Sequence, residues 1–342
     1  MRPGGRVYRK NAPRIVLRIA FFSGCVGAIY GASGRGWVLT GAANGAANGA
    51  LLSALELYVL DGWARNALLR LPFSLYFALR VALYVVAVLA INVMMAQLTG
   101  VQAPLGINRG DVFFALTASL VANLLLSVNE LLGRGVLFAF AAGRYRRPRR
   151  EERVLLYIDL IGSTGLAERL GEERFLDLLN AFYADVTQEI VAEGGEIHKY
   201  VGDEVIAVWR EGTDPMRPIR ATFAARQRLV QRAAAYAAEF GETPDFRAAI
   251  HAGAVVIGEL GAGKKEIALI GDAMNTAARI VEAARETGAS VLISAPYFDR
   301  LNGTPAGFRA LRLAPIALRG KSAPLPLVAL SSADLPAEKT LV

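Results

Sequence analysis

Four apolar stretches, at 15–32, 36–60, 73–98 and 112–132, decide the architecture of the first 132 residues. Each has 18 or more residues, close to the ~20 that carry a helix across ~30 Å of hydrocarbon. The 54% hydrophobic content is too high for an ordinary water-soluble chain. The basic lead-in to the first stretch also fits a signal peptide, but three further stretches follow it. Four spans put both ends of the domain on one side of the bilayer. Arg2, Arg6, Arg9, Lys10 and Arg14, then Arg65 and Arg70, then the cluster from Arg144 to Arg153 lie on that side, against Arg35 and Arg109 on the other. The positive-inside bias therefore predicts a multi-pass protein of the inner (plasma) membrane with both termini cytoplasmic.

Charge divides the chain at the same place. Residues 1–150 carry 17 Lys/Arg against 4 Asp/Glu, and residues 151–342 carry 21 against 26. Positive charge confined to the apolar half suits anionic lipid headgroups and argues against a nucleic-acid partner. Gly41, Gly45 and Gly49 recur at four-residue spacing beside Asn44 and Asn48. That pattern fits either a close helix–helix contact or a glycine-rich loop. Glu56 and Arg80 fall at similar depth in neighbouring spans, placed to pair or to snorkel. Residues 133–152 read as a basic connecting helix or linker, interrupted by Pro148.

Cys25 is the only cysteine, and His198 and His251 are the only histidines. That excludes an intramolecular disulfide, a cysteine-ligated zinc site and the usual zinc hydrolase site. From 153 to 330 strand-like and helix-like stretches alternate, which predicts an α/β sandwich with helices packed on a sheet; residues 331–342 read as a tail. A strand-like run from 153 ends at Asp159, ahead of Gly162, Ser163 and Thr164. Two short strands around Gly202 and Asp203 read as a hairpin. Carboxylates at a strand end and a hairpin tip can converge on a hard cation, although Asp is also a favoured turn residue.

The segments YIDLIGSTGLAERLG, GGEIHKYVGDEVIAVW, FRAAIHAGAVVIGEL and IGDAMNTAARI occur in that order. Together they resemble the catalytic domain of the class III adenylyl/guanylyl cyclases, over about 153–330, and the membrane half is similar to the anchors of bacterial members. The resemblance implies an α+β ferredoxin-like catalytic fold. It further implies an adenylate cyclase converting ATP to 3′,5′-cyclic AMP and pyrophosphate, with two Mg²⁺ or Mn²⁺ ions. Asp159 and Asp203 match the family's metal ligands, joined by the backbone carbonyl of Leu160. Gly162, Ser163 and Thr164 match the phosphate-cradling turn. Arg279 matches the arginine that stabilises the transition-state phosphate, and Asn275 the residue that orients the ribose. Lys199 matches the adenine-reading lysine, and Ala268 stands at the second base-reading position, where it offers no hydrogen bond. Lys321 or Arg319 matches the triphosphate-binding cation. The family's site is shared between the protomers of a homodimer. Two further readings stay open on the same residues: a guanylate cyclase, and an inactive cyclase-like membrane sensor. The GELGAGK segment from Gly258 is no P-loop, because it lies between strands and Lys265 replaces the required Ser/Thr. His251 reads as a strand residue without a catalytic role.

Overall fold

The computed structural model describes residues 6–33, 38–63, 68, 71–99, 117, 120, 121, 124, 143, 145, 147–263, 265–316 and 324–333. The chain divides into two compact units, Gly4–Leu132 and Gly133–Val342, the second including Met1–Pro3.

In the first unit the described apolar stretches are helical. Helix α1 spans Arg6–Ser33, α2 spans Val38–Ala54 and runs on as a π-helix over Leu55–Trp63, and α3 spans Phe73–Thr99. Among the described residues one segment, Ser74–Met95, is long and apolar enough to cross a membrane; Val16–Ile29 is a shorter apolar helix. The predicted span at 36–60 dilutes its apolar character with glycine and asparagine, and the one at 112–132 lies almost wholly outside the described residues. The glycine stripe belongs to a helix and not to a loop. A methyl group on Gly45 would lie 2.2 Å from the carbonyl oxygen of Ser23, and one on Gly27 2.1 Å from that of Gly41. Only hydrogen at these positions lets the α1 and α2 backbones touch. Glu56 and Arg80 do pair: the guanidinium donates to the carboxylate, which also accepts from the Tyr84 hydroxyl.

In the second unit one mixed sheet organises everything. Strand β1 (Arg149–Leu160) lies between β3 (Glu204–Arg210) and β4 (Phe246–Leu260), antiparallel to both. Strand β2 (Glu196–Val201) lies at the edge beyond β3, and β5 (Glu266–Ile270) pairs with the outer half of β4. On the other side β4 runs parallel to β6 (Val291–Ser294), followed by β8 (Leu327–Ser332) and β7 (Phe308–Arg312).

The helices are α4 (Ser163–Leu170), α5 (Glu172–Ala192), α6 (Met216–Gln231), α7 (Ala233–Phe240), α8 (Asp272–Thr287) and the short α9 (Ala295–Phe298). They cover both faces of the sheet. Val154, Leu156 and Ile158 pack with Phe182, Val186, Ile219 and Leu229 on one face. Leu155 and Tyr157 pack with Ala277, Ile280 and Ala284 of α8 on the other. Strict alternation along β1 therefore feeds two cores, which is why its apolar run is unbroken. Gly253 brings α8 close to the sheet: a methyl group there would lie 2.8 Å from the Ala273 side chain.

Two local expectations are corrected. Arg149–Glu152, read as linker, are the first residues of β1 and pair with Ile257–Ala254, because the long β4 offers them a ladder. Residues 215–240 read from the sequence as one long helical stretch, but they form two helices, α6 and α7, which part at Arg232, where the backbone leaves the helix with φ −103°.

Candidate active site

Asp159 and Asp203 reach the same place from different elements. Asp159 is the penultimate residue of β1, buried on the α8 face, and pairs across to Glu204. Asp203 sits at the tip of the β2–β3 hairpin, whose turn needs the left-handed Gly202 (φ 61°). Tyr183 of α5 clamps this turn: its hydroxyl donates to the Gly202 carbonyl and its ring lies 4.6 Å from that of Tyr200. Burial first, then the charge of Asp203, pushes the Tyr183 hydroxyl up to about 12.

Three carboxylates thus crowd one corner of the sheet. Glu204 is pushed up to about 7, by burial first and then by the negative charges of Asp159 and Asp203. Arg285 of α8 offsets part of this charge. It grips Asp159 with hydrogen bonds of 2.9 to 3.2 Å, although its own side chain is 57% exposed. Asp203 keeps one carboxylate oxygen, Oδ2, buried and without a hydrogen-bond partner. An orphaned buried carboxylate oxygen beside a second carboxylate is the donor set a hard divalent cation takes. No group of three or more His, Cys, Asp or Glu is assembled for a metal among the described residues. Asp159, Asp203 and neighbouring backbone could supply part of such a site. The carbonyl of Leu160 adjoins Asp159 at the end of the strand.

Gly162 takes the left-handed conformation (φ 71°) as N-cap of α4, with Ser163 and Thr164 in its first turn. The first amides of a helix have no intrahelical acceptor, so this turn presents donors to an anion. Asn275 is exposed on α8, and Arg279 one turn later pairs with Glu282 at 2.7 Å. Within one chain it is Arg285, and not Arg279, that touches Asp159. Lys199 lies on β2 just past a bulge: Ile197 faces Ala207, whereas Lys199 faces Ile206. The extra residue, His198, turns Lys199 onto the α8 side of the sheet. There its ammonium meets Glu266 of β5 at 3.3 Å. Ala268 sits on β5 opposite Gly258. Arg319 and Lys321 lie outside the described residues. His251 hydrogen-bonds through Nδ1 to the Ser294 hydroxyl at 2.8 Å, between neighbouring strands.

Sequence reasoning missed Arg285, Glu204, Tyr183 and Glu266. Arg285 and Glu266 carried no signal, because their partners are 126 and 67 residues away. Glu204 had one: it directly follows Asp203 on a strand that pairs with the end of β1.

Residues 146–328 match the family model described as the adenylate and guanylate cyclase catalytic domain. The chain is 37% identical over 224 residues to Adenylate cyclase 2 of Rhizobium meliloti, covering 65% of this chain and 61% of that protein. An uncharacterized protein of Mycobacterium tuberculosis is 31% identical over 205 residues, 58% of this chain and 37% of that one. The chain thus spans less than two thirds of the length of these relatives. The structure of a bacterial light-regulated adenylyl cyclase superposes with a TM-score of 0.55 at 18% identity, over 68% of this chain and 67% of that one. This is a likeness of fold. Since the family model covers more than half of the chain and spans β1, the β2–β3 hairpin and α8, the protein belongs to the adenylate and guanylate cyclase catalytic domain family, the class III cyclases.

Proposed function

We propose that this protein is a membrane-anchored adenylate cyclase that converts ATP to 3′,5′-cyclic AMP and pyrophosphate at a site shared within a homodimer. The observation that carries the reading is the convergence of Asp159 with the orphaned Oδ2 of Asp203 at one corner of the sheet. In the reaction the 3′-oxygen attacks the α-phosphorus, loses its proton, and the bond to pyrophosphate breaks. Two Mg²⁺ or Mn²⁺ ions, held by Asp159, Asp203 and the Leu160 carbonyl, would supply Lewis-acid activation of the hydroxyl and neutralise the phosphates.

The remaining work falls to the chain's own groups. Amides at Gly162, Ser163 and Thr164 cradle the phosphates. Arg279 of the second protomer stabilises charge on the transferring phosphate with a planar, permanently charged fork, and Asn275 holds the ribose. Arg319 or Lys321 binds the triphosphate, and Lys199 reads the base. That no described contact joins Asn275 or Arg279 to Asp159 in one chain supports a site completed across the dimer. The apolar helices of the first unit, Ser74–Met95 foremost, are read as the anchor. With the four spans read from the sequence, both termini are cytoplasmic, and a tag placed between Gly100 and Asn108 is reached only from outside the cell.

The test is product formation by the purified full chain with ATP or GTP and with Mg²⁺ or Mn²⁺, with the product identified by mass. Cyclic AMP from ATP is expected. A preference for GTP would favour the guanylate cyclase reading that Ala268 leaves open, and no product from either would favour the inactive sensor. Mixing Asp159→Ala with Arg279→Ala chains should restore activity, because each heterodimer holds one intact site. No recovery in demonstrated heterodimers would refute the shared site.

A further inference from the structure

The hairpin tip that carries Asp203 has little of its own to hold it. Strand β2 lies at the edge of the sheet and pairs only with β3, and Val201 and Gly202 at its end are exposed. A methyl group on Gly202 would meet nothing within 4 Å. The tip also works against its own charge, because the carboxylates of Asp159, Asp203 and Glu204 repel one another. A two-stranded hairpin has little rigidity to set against such repulsion.

One group from outside the hairpin reaches the turn. The Tyr183 hydroxyl donates to the carbonyl of Gly202, the residue directly before Asp203. Among the described residues no other hydrogen bond from another element reaches residues 202 or 203. The Tyr183 ring lies 4.6 Å from that of Tyr200, in the range of paired aromatics, so one side chain holds both the end of β2 and the turn. Its helix is a fixed base. Two residues further along α5, Asp185 is fully buried and accepts from Arg228 and from the Tyr236 hydroxyl, each at 2.7 Å, and from Arg232. Phe182 and Val186 of the same helix lie in the core. Tyr183 thus ties an immobile helix to a loose turn. It does so without charge, and unlike Arg285 at Asp159 it occupies no carboxylate oxygen.

We infer that Tyr183 is a positioning residue for the metal site: its hydroxyl pins the turn at Gly202 and so holds the Asp203 carboxylate beside Asp159 before a cation arrives. The inference rests on the metal reading above and deepens it by naming what keeps the two aspartates together. In this role Tyr183 acts through Asp203 and touches no reacting atom. Without the hydroxyl the turn samples wider arrangements, and part of the cation's binding energy goes into closing it. Hydrogen bonds that orient a metal-binding group are typically worth ~10–100-fold in metal affinity, and one made through the neighbouring backbone belongs at the lower end.

The experiment measures Mn²⁺ binding to the full chain without nucleotide, by electron paramagnetic resonance of free Mn²⁺, in the wild type, in Tyr183→Phe and in Asp203→Asn. Tyr183→Phe keeps the ring against Tyr200 and removes only the hydroxyl. Its Mn²⁺ affinity should fall about tenfold while the melting temperature holds. The backbone amides of residues 202–204 should exchange with deuterium faster, and those of β1 should keep their rates. In turnover, about tenfold more Mn²⁺ should be needed for half-maximal rate, with kcat at saturating Mn²⁺ close to that of the wild type. Unchanged Mn²⁺ affinity in Tyr183→Phe, where Asp203→Asn loses it, would overturn the role of Tyr183 alone. So would a weaker affinity that comes with a general drop in melting temperature and a kcat that saturating Mn²⁺ does not restore, the signature of a packing residue. A wild-type chain that binds no Mn²⁺, or an Asp203→Asn chain that binds it as well as the wild type, would instead remove the metal reading on which the inference rests.

Discussion

The two units of this chain both bury an arginine–carboxylate pair, and they do so in opposite ways. In the first unit Arg80 is 1% exposed and is held by Glu56, with Tyr84 donating to the same carboxylate. In the second unit Asp159 is the buried partner and Arg285 approaches from a largely exposed position. The first pair is locked inside a helical unit and neither member has a free approach. The second leaves its carboxylate reachable once the arginine swings away. Burial of the cation against burial of the anion separates a pair that holds a structure together from one that lies at the proposed site.

The largest expected effect breaks the comparison on the catalytic side. Asp203→Asn keeps the size of the side chain and removes its charge. Turnover should fall about a thousandfold or more, because a carboxylate proposed to hold the ions that would neutralise the reacting phosphates is lost. The fold should not suffer. Asp203 is among the charges that raise Glu204, so its neutralisation relieves repulsion, and the melting temperature should hold or rise. Turnover close to that of the wild type would show that the corner of the sheet is not the reaction centre.

The same substitution logic reverses in the first unit. Arg80→Met takes the guanidinium away from Glu56, whose side chain is 12% exposed, and breaking a buried pair costs about 3–5 kcal/mol. Thermal unfolding of the full chain in detergent should drop markedly, while turnover per folded molecule stays near that of the wild type. Replacing both partners, in Glu56→Gln/Arg80→Met, should recover much of the loss, since no buried charge is then left unpaired. If Arg80→Met instead leaves unfolding unchanged, the pair is not the structural lock described here.

What the sequence made legible follows the same division. The positions of Asp159 and Asp203, at the end of an apolar strand and at a glycine turn, were legible locally, but only the resemblance singled them out as site residues. Asn275 and Arg279 were singled out by the resemblance alone, which places them one turn apart on a helix. The Glu56–Arg80 pair was readable as one of two options, because depth along helices is simple arithmetic, but whether the side chains meet depends on packing. The partners of Asp159 and Lys199 were not readable. Arg285 reaches Asp159 only because Gly253 and Ala273 let α8 lie close to the sheet, and Lys199 meets Glu266 only after the bulge at His198 reverses its face. The start of β1 was misjudged because Arg149, Arg150, Glu151 and Glu152 have little intrinsic strand preference. Their pairing is imposed by the fifteen-residue strand β4.

The smallest expected effect concerns the exposed arginine. If Asp159 holds a divalent cation as proposed, Arg285 competes for the same carboxylate oxygens, and the ion pair must open before the metal is bound. Its contribution is limited because the guanidinium is mostly in water, where an ion pair is worth about 0–1 kcal/mol. Arg285→Ala should therefore tighten Mn²⁺ binding only severalfold, up to about fivefold for 1 kcal/mol. Binding is to be followed by electron paramagnetic resonance of free Mn²⁺, which needs no turnover. The gain should shrink as salt is added, because screening already weakens the exposed pair in the wild type. Keeping the positive charge on α8 but shortening the reach, as in Arg285→Lys, should give an intermediate affinity, since an ammonium cannot grip both carboxylate oxygens in the bidentate way. Weaker Mn²⁺ binding in Arg285→Ala would mean that the arginine orients Asp159 for the metal and does not guard it, and the contrast drawn between the two buried pairs would fail on its catalytic side.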